Sequence, residues 1–309
     1  MSFLLRKVGT TLLSLAGVTL IVTLFLNFIP GDPVEVMLGE QAGNVDRAAL
    51  RRAIGLDRPV HEQVFRFVRD LATGELRTSL PPFKEKVLPK IAEKLPRTLV
   101  LAVVSMTLAI LIAIPLGVFS AQRKGGVLDQ GAMVFALLGV SIPRSALGPV
   151  LIVLFAIELG WLPALGDVDT RSLILPSLTL ALALAAMLSR MTRSAMLDVN
   201  REDYVTTARA KGLPERTVVW RHVLRNALIP VITIVGLQFG ALLVGGIVTE
   251  KVFNWPGMGT LLLQAVQQRD YNTVRACVLV FTFVYVVVNL LTDLTYALVD
   301  PRVPSEGRR

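Results

Sequence analysis

Six stretches of this chain are apolar over more length than a soluble helix or strand needs: residues 8–29, 98–122, 131–157, 172–189, 227–249 and 276–299. Crossing about 30 Å of hydrocarbon at roughly 1.5 Å per residue takes about 20 residues, which each of them approaches or exceeds. Lipid offers no partner to a free N–H or C=O, so spans of this length must satisfy their own backbones as helices. The expected fold class is therefore an all-α polytopic membrane protein with six transmembrane helices. The 53% hydrophobic content agrees, because a soluble domain of this size carries less.

The third stretch contains Arg144, which costs about 2.5 to 3.5 kcal/mol at mid-membrane against roughly 0.3 to 0.6 gained per Leu, Ile, Phe or Val. Fourteen such apolar residues between 131 and 157 outweigh it. Asp293 sits near the end of the sixth stretch, where the cost is smaller. The first stretch is longer than a signal-peptide core and is followed by Pro30-Gly31-Asp32-Pro33, not by a small-residue cleavage site, so it reads as a permanent helix.

Orientation follows from basic residues in the short connections. The N-terminus, the 123–124 connection, the loop between helices 4 and 5 and the C-terminal tail hold 15 Lys and Arg, against four in 159–171 and 250–275. Both termini are then expected in the cytoplasm. The chain divides into 1–29 (N-terminus and helix 1), a periplasmic lobe at 30–97, a core at 98–299 with the cytoplasmic loop 190–226, and a cytoplasmic tail at 300–309. The net charge of +9 is accounted for by this topology and is not read as nucleic-acid binding. Cys277 is a lone cysteine in an apolar helix, a packing residue by default, and His61 and His222 fall on opposite sides of the membrane, so no metal site is expected.

Two exposed regions remain. In the outer one Val64, Phe65, Val68 and Leu71 recur at helical spacing, as suits an amphipathic helix on the membrane surface or against its neighbours. Thr73-Gly74 ends it, Pro81-Pro82 forces an extended turn, and a second short helix is expected over 84–94. The lobe either packs on helix ends or receives a partner. In the inner region Glu202 and Asp203 suit the first turn of a helix, Ala208 and Ala210 permit close contact, and Gly212 supplies a stop. Pro214 suits the first turn of a second helix running through Val218, Val219, Val223 and Leu224 toward Pro230. Such an elbow either transmits a push to the bundle or is an ordinary connector.

The inner region, Asp203-Tyr204-Val205-Thr206-Thr207-Ala208-Arg209-Ala210-Lys211-Gly212 followed by Arg225-Asn226-Ala227-Leu228-Ile229-Pro230, resembles the cytoplasmic coupling loop of ABC importer permeases of the dipeptide and oligopeptide type. Pro30-Gly31-Asp32-Pro33, Phe253-Asn254-Trp255-Pro256-Gly257-Met258-Gly259 and Arg269-Asp270-Tyr271 agree in order and cover nearly the whole chain; the first permease of the pair is the closer fit. Thr206, Thr207 and Ala208 depart from the general Glu-Ala-Ala start in the way the peptide-type members do. Arg144 departs from an expected apolar or aromatic residue. The short third external connection is similar to glutathione and some peptide permeases.

The resemblance implies a permease subunit of an ATP-driven importer in a bacterial inner membrane. It would act with a second homologous permease, two cytoplasmic ABC ATPases that bind the ATP and Mg, and a periplasmic or lipid-anchored binding protein. It also implies that Glu202, Asp203, Tyr204, Thr207, Ala208, Arg209, Ala210 and Gly212 carry the ATPase coupling and that alternating access follows. The expected cargo is short peptides, with glutathione, a nickel chelate or another small solute as the alternative. The chain has no G-x-x-x-x-G-K-[ST] loop, so an ATPase site of its own, a catalytic residue and a resident cofactor are not expected.

For the pathway, Arg144 beside Pro143, in a helix expected to break also at Pro149, either faces a wet cavity and attracts a carboxylate or pairs with the second permease. Gln238 could face the same cavity, while Gly236, Gly240, Gly245 and Gly246 either pack against a helix or line a passage. Asn289 and Asp293 share a face and suit interhelical hydrogen bonding, or else gating or ion binding. Trp161 and Trp255 read as interfacial anchors. A secondary transporter or channel would explain the bundle without the elbow. An intramembrane enzyme would need a nucleophile motif that is missing.

Overall fold

The computed structural model describes residues 2–28, 58–79, 85–166 and 170–299. The Pro30-Gly31-Asp32-Pro33 block, the Pro81-Pro82 turn and the 300–309 tail lie outside them. In chain order the helices are α1 (Ser2–Phe28), α2 (Val60–Ala72), α3 (Val87–Gln122), α4 (Val127–Ser141) and α5 (Arg144–Leu151), the last running on as a π-helical stretch, Ile152–Glu158. Then come α6 (Ile174–Val199), α7 (Asp203–Ala210), α8 (Leu224–Val252), α9 (Met258–Gln267) and α10 (Tyr271–Val299). Among the described residues the only extended pairing is a single bridge between Arg77 and Lys86, so the all-α expectation holds.

Among the described residues five helices are long and apolar enough to cross a membrane, and a bent pair makes six if it counts as one span. This pair corrects the expected third span: instead of one helix over 131–157, α4 and the helix after it are bent by 112°. The cause lies in Pro143, whose ring disfavours the helical region for the residue before it. Ile142 is accordingly extended at ψ 119 and Pro143 at ψ 137. Pro149, expected to break the helix again, instead lies inside α5, and the ladder widens into the π-helical stretch three residues later.

Two further expectations change. α3 begins at Val87 and continues without a stop through the second span, so the separate short helix expected over 84–94 is its first turns; Lys84 lies outside the described residues. The short helix α9 was not expected at all. Fold-positioning turns recur at helix ends: Gly74, Gly212, Asn254 and Arg269 all have positive φ, each with an amide just beyond reaching back to a carbonyl five residues earlier. This pairing satisfies carbonyls that a helix end leaves orphaned, and glycine or asparagine suits the left-handed position best.

The chain separates into two compact units, residues 1–98 with 256–286 and residues 99–255 with 287–309. In the first, α2 caps at Thr73 and buries Gln63 and Phe67, while Phe65 and Val68 stay exposed, so the apolar face expected there is not packed against neighbouring helices of this chain. Leu26, Ala265, Tyr271 and Val274 form a separate cluster. In the second unit α6 is enclosed by α3, α4 and α8 through Leu101, Met106, Leu180, Leu184, Leu188 and Leu242. Close approach there depends on small residues. A Cβ at Gly139 would fall 2.2 Å from that of Ala186, and one at Gly117 would fall 2.6 Å from that of Thr192. Trp255, expected at an interface, is buried in this core, whereas Trp161 is exposed.

Candidate functional site

The elbow at 202–214 is built from local rules. Glu202 is extended at φ −68, ψ 144, and Asp203 opens α7, so two carboxylates meet the positive end of the helix. Thr207 donates to the Asp203 carbonyl at 2.9 Å. Gly212, at φ +75, ends the helix and turns the chain, and Pro214 caps the turn Glu215–Thr217 that runs through the π-helical stretch Val218–Val223 into α8.

Arg209 staples the two legs together. Its Nη2 donates to Asn200 at the end of α6 at 2.7 Å and to Glu215 at 2.8 Å, and its Nε donates to Glu215 at 3.0 Å. Glu215 thereby raises the Arg209 guanidinium further above its ordinary value. A half-exposed pair of this kind contributes about 0 to 1 kcal/mol, so its main effect is to fix the angle of the turn. On the other face Asn226 Nδ2 donates to the Tyr204 hydroxyl at 2.8 Å and to the His222 carbonyl at 2.9 Å. Val205 and Ala208 are buried against Val118, Met196, Val218, Val219 and Val223. Of the residues expected to couple, Glu202, Asp203, Tyr204, Thr207, Ala210 and Gly212 are exposed, Arg209 is half-buried, and Ala208 faces inward to seat the helix. A cleft of about 280 Å³ lined by Gln122, Arg123, Asn200, Arg209 and Glu215 adjoins the turn.

Beside the elbow lies a polar knot that the sequence did not single out. Asp129, in the first turn of α4, accepts from Ser120 Oγ at 2.5 Å, from the Gly125 amide at 2.8 Å, and from Arg193 Nε and Nη2 at 2.5 and 2.8 Å. Arg193 counted only as a loop charge because the fourth span was ended at 189, whereas α6 continues to Val199. An arginine continuing the register of an apolar helix, with an aspartate opening α4, was the available signal.

Of the pathway candidates only Gln238 has a described side chain. Arg144 opens α5 and Asp293 lies in α10, with both side chains outside the described ones. Gln238, half-buried on α8, donates to Met187 Sδ of α6 at 2.6 Å. Gly236 is a packing residue, since a Cβ there would sit 2.1 Å from Thr292 Cγ2.

In the other unit the Arg269-Asp270-Tyr271 block has a structural role. Asp270 caps α10 through the amide and hydroxyl of Thr273 and accepts from the Ser79 amide at 2.8 Å. Asn272 Nδ2 donates to the Arg77 carbonyl at 2.9 Å, and Arg275 Nη2 to Gln63 Oε1 at 3.0 Å. The segment around 58–79 is therefore tied to the start of α10 by polar contacts.

The family described as "Binding-protein-dependent transport system inner membrane component" matches residues 113–304, and the description "Binding-prot-dependent transport system membrane comp, N-term" matches residues 1–102. The chain is 42% identical over 303 residues, 98% of this chain and 99% of the relative, to the "Glutathione transport system permease protein GsiC" of Pectobacterium atrosepticum. It is 41% identical, with the same coverage, to the protein of that name in Salmonella typhimurium. Among solved structures it is similar to the inward-facing MetNI methionine ABC transporter, with a TM-score of 0.59 at 17% identity over 71% of this chain and 100% of that one. An amino acid ABC transporter crystallised with histidines gives a TM-score of 0.54 at 14% identity over 68% of this chain and 94% of that one. At those identities the likeness is one of fold.

Proposed function

The chain belongs to the binding-protein-dependent transport system inner membrane components, it is a permease subunit of an ABC importer, and from that membership we propose that it translocates short peptides, with glutathione the first to test. The observation that carries the reading is the elbow: a helix tied to α6 by Arg209 and seated by Val205 and Ala208, with Tyr204, Thr207 and Ala210 left exposed. An exposed helix so tied is what a partner can push without the push being lost in a soft loop. Glutathione is favoured within the peptide class because relatives matched over almost their full length carry it in their names.

In this reading both termini and the elbow face the cytoplasm and 30–97 face the periplasm. A second permease completes the pathway, two ATPases hold the ATP and Mg and close beneath the elbow, and a soluble or lipid-anchored binding protein delivers the cargo. Glu202, Asp203, Tyr204, Thr207, Arg209, Ala210 and Gly212 form or shape the docking surface, with Ala208 seating it from behind. Closure moves the elbow and rocks the helices between outward- and inward-facing states. Arg144, Gln238 and Asp293 remain the pathway candidates.

The test reconstitutes the chain with its second permease, ATPases and binding protein in proteoliposomes, and offers glutathione or dipeptides. The cargo is the one that both raises ATP hydrolysis and accumulates inside. Gly212→Val in the same assay is expected to keep assembly, since nothing lies within 4 Å of the position a Cβ would take, but to strain a turn that needs φ +75. Hydrolysis should then run with little uptake. Parental uptake by that variant would remove the elbow from the mechanism.

A further inference from the structure

A coupling elbow has to hand its displacement to the helices that form the gate, and the end of α6 carries three residues placed to do so. Arg193, Met196 and Asn200 fall at i, i+3 and i+7, on one face of the helix. Asn200 accepts from Arg209 of the elbow, and Met196 packs with Val205 and Ala208. Arg193 grips the start of α4 through both oxygens of Asp129. Asp129 in turn holds Ser120 at the end of α3 and the Gly125 amide in the tight connection, so its other partners both lie on the α3–α4 hairpin. α4 is the arm that ends at the Ile142–Pro143 break.

We propose that the Asp129–Arg193 pair is a positioning latch through which the elbow moves α4, and with it the bent crossing, as a single body with α6. The proposal rests on the coupling role assigned to the elbow above. Its chemistry suits the task. A bidentate guanidinium–carboxylate pair fixes direction as well as distance, and this one is shielded, with side-chain exposures of 19% for Arg193 and 6% for Asp129. An apolar contact at the same place would permit sliding between α4 and α6; the fork does not. The tight Gly139 and Ala186 contact further along the same helix pair keeps the two in register beyond the latch.

The test uses the whole complex in proteoliposomes with glutathione and, separately, a dipeptide as probes, and reads cargo accumulated per ATP hydrolysed. Arg193→Met and Asp129→Asn are each expected to lower that ratio by about tenfold, within the range of ordinary coupling effects, while hydrolysis continues. The double variant should be no worse than either single one, because the two residues act as a unit. Exchanging the pair, Asp129→Arg with Arg193→Asp, should recover part of the ratio. A parental ratio in the assembled single variants, or uptake and hydrolysis falling together in proportion, overturns the latch. If Arg193→Met does not assemble, Arg193→Lys decides, since it keeps the charge and loses the fork: a lowered ratio supports the latch and a parental ratio overturns it. Gly212→Val run alongside separates the two readings. If it uncouples while the Arg193 and Asp129 variants do not, the latch alone fails; if it does not uncouple, the elbow fails and the latch with it.

Discussion

At the scale of single residues, small side chains decide how close the helices come. Gly236 and Gly246 lie on α8 ten positions apart and look alike in sequence, yet a Cβ at Gly236 would press on Thr292 Cγ2 at 2.1 Å, whereas nothing lies within 4 Å of one at Gly246. Gly236→Ala should therefore destabilise by about 1 to 3 kcal/mol through overpacking. Gly246→Ala should leave stability unchanged or raise it, by about 0.5 to 1 kcal/mol, because alanine is the better helix former. Thermal unfolding in detergent measures both, and a melting temperature lowered equally by the two variants would refute the assignment. The sequence revealed the run of glycines but not which of them meets a neighbour, since that depends on how α10 is rotated. Trp255 teaches the same lesson. Its place near a helix end suggested an interface, but the positive-φ turn at Asn254 brings its ring into the core around Leu101 and Met106.

At the scale of elements, the long helices were legible because lipid leaves the backbone no alternative, and the elbow was legible because Gly212 and Pro214 punctuate a polar stretch. The bend between α4 and α5 was legible only as a break at Pro143, not in its 112° size. Its apolar run is continuous through residue 142, and hydropathy cannot see that Pro143 denies Ile142 a helical ψ. The short helix α9 escaped for the opposite reason: at ten residues it is too short to register as a crossing, although the Gly257 before it supplies an extended N-cap. If Pro143 sets the bend, Pro143→Ala should release it in part. Spin labels at Val134 and Ile157, both exposed, would sit about 20 Å apart across a 112° bend and roughly 35 Å apart along a straight helix at 1.5 Å per residue. A second population near the longer distance is expected in the variant. A single unchanged distance would mean that Gly139 against Ala186 and Gly148 against Val252 and Phe253 hold the arms without help from the proline.

At the scale of the whole molecule, the proposed sidedness rests on counting basic residues, and the structure alters the count without reversing it. Arg190 and Arg193 fall in the 190–226 loop by hydropathy, but both lie inside α6, and Arg193 is neutralised by Asp129. Removing the two from 15 leaves 13 against four, still a strong bias toward placing the elbow in the cytoplasm. The chain's single cysteine makes this easy to test, because Cys277 is fully buried and out of reach of a polar reagent. Lys211→Cys places a thiol at the exposed end of the elbow, and Trp161→Cys places one in an exposed connection of the same unit. In spheroplasts expressing the two permeases without the ATPases, a membrane-impermeant maleimide should modify position 161 and spare position 211 until the membrane is opened. Co-expressing the ATPases should then protect position 211 from labelling after the membrane is opened, because in the proposed function the elbow is the surface they cover. Labelling of position 211 in intact spheroplasts would put the elbow outside, away from any source of ATP, and no rearrangement of the remaining helices would then restore a nucleotide-driven mechanism.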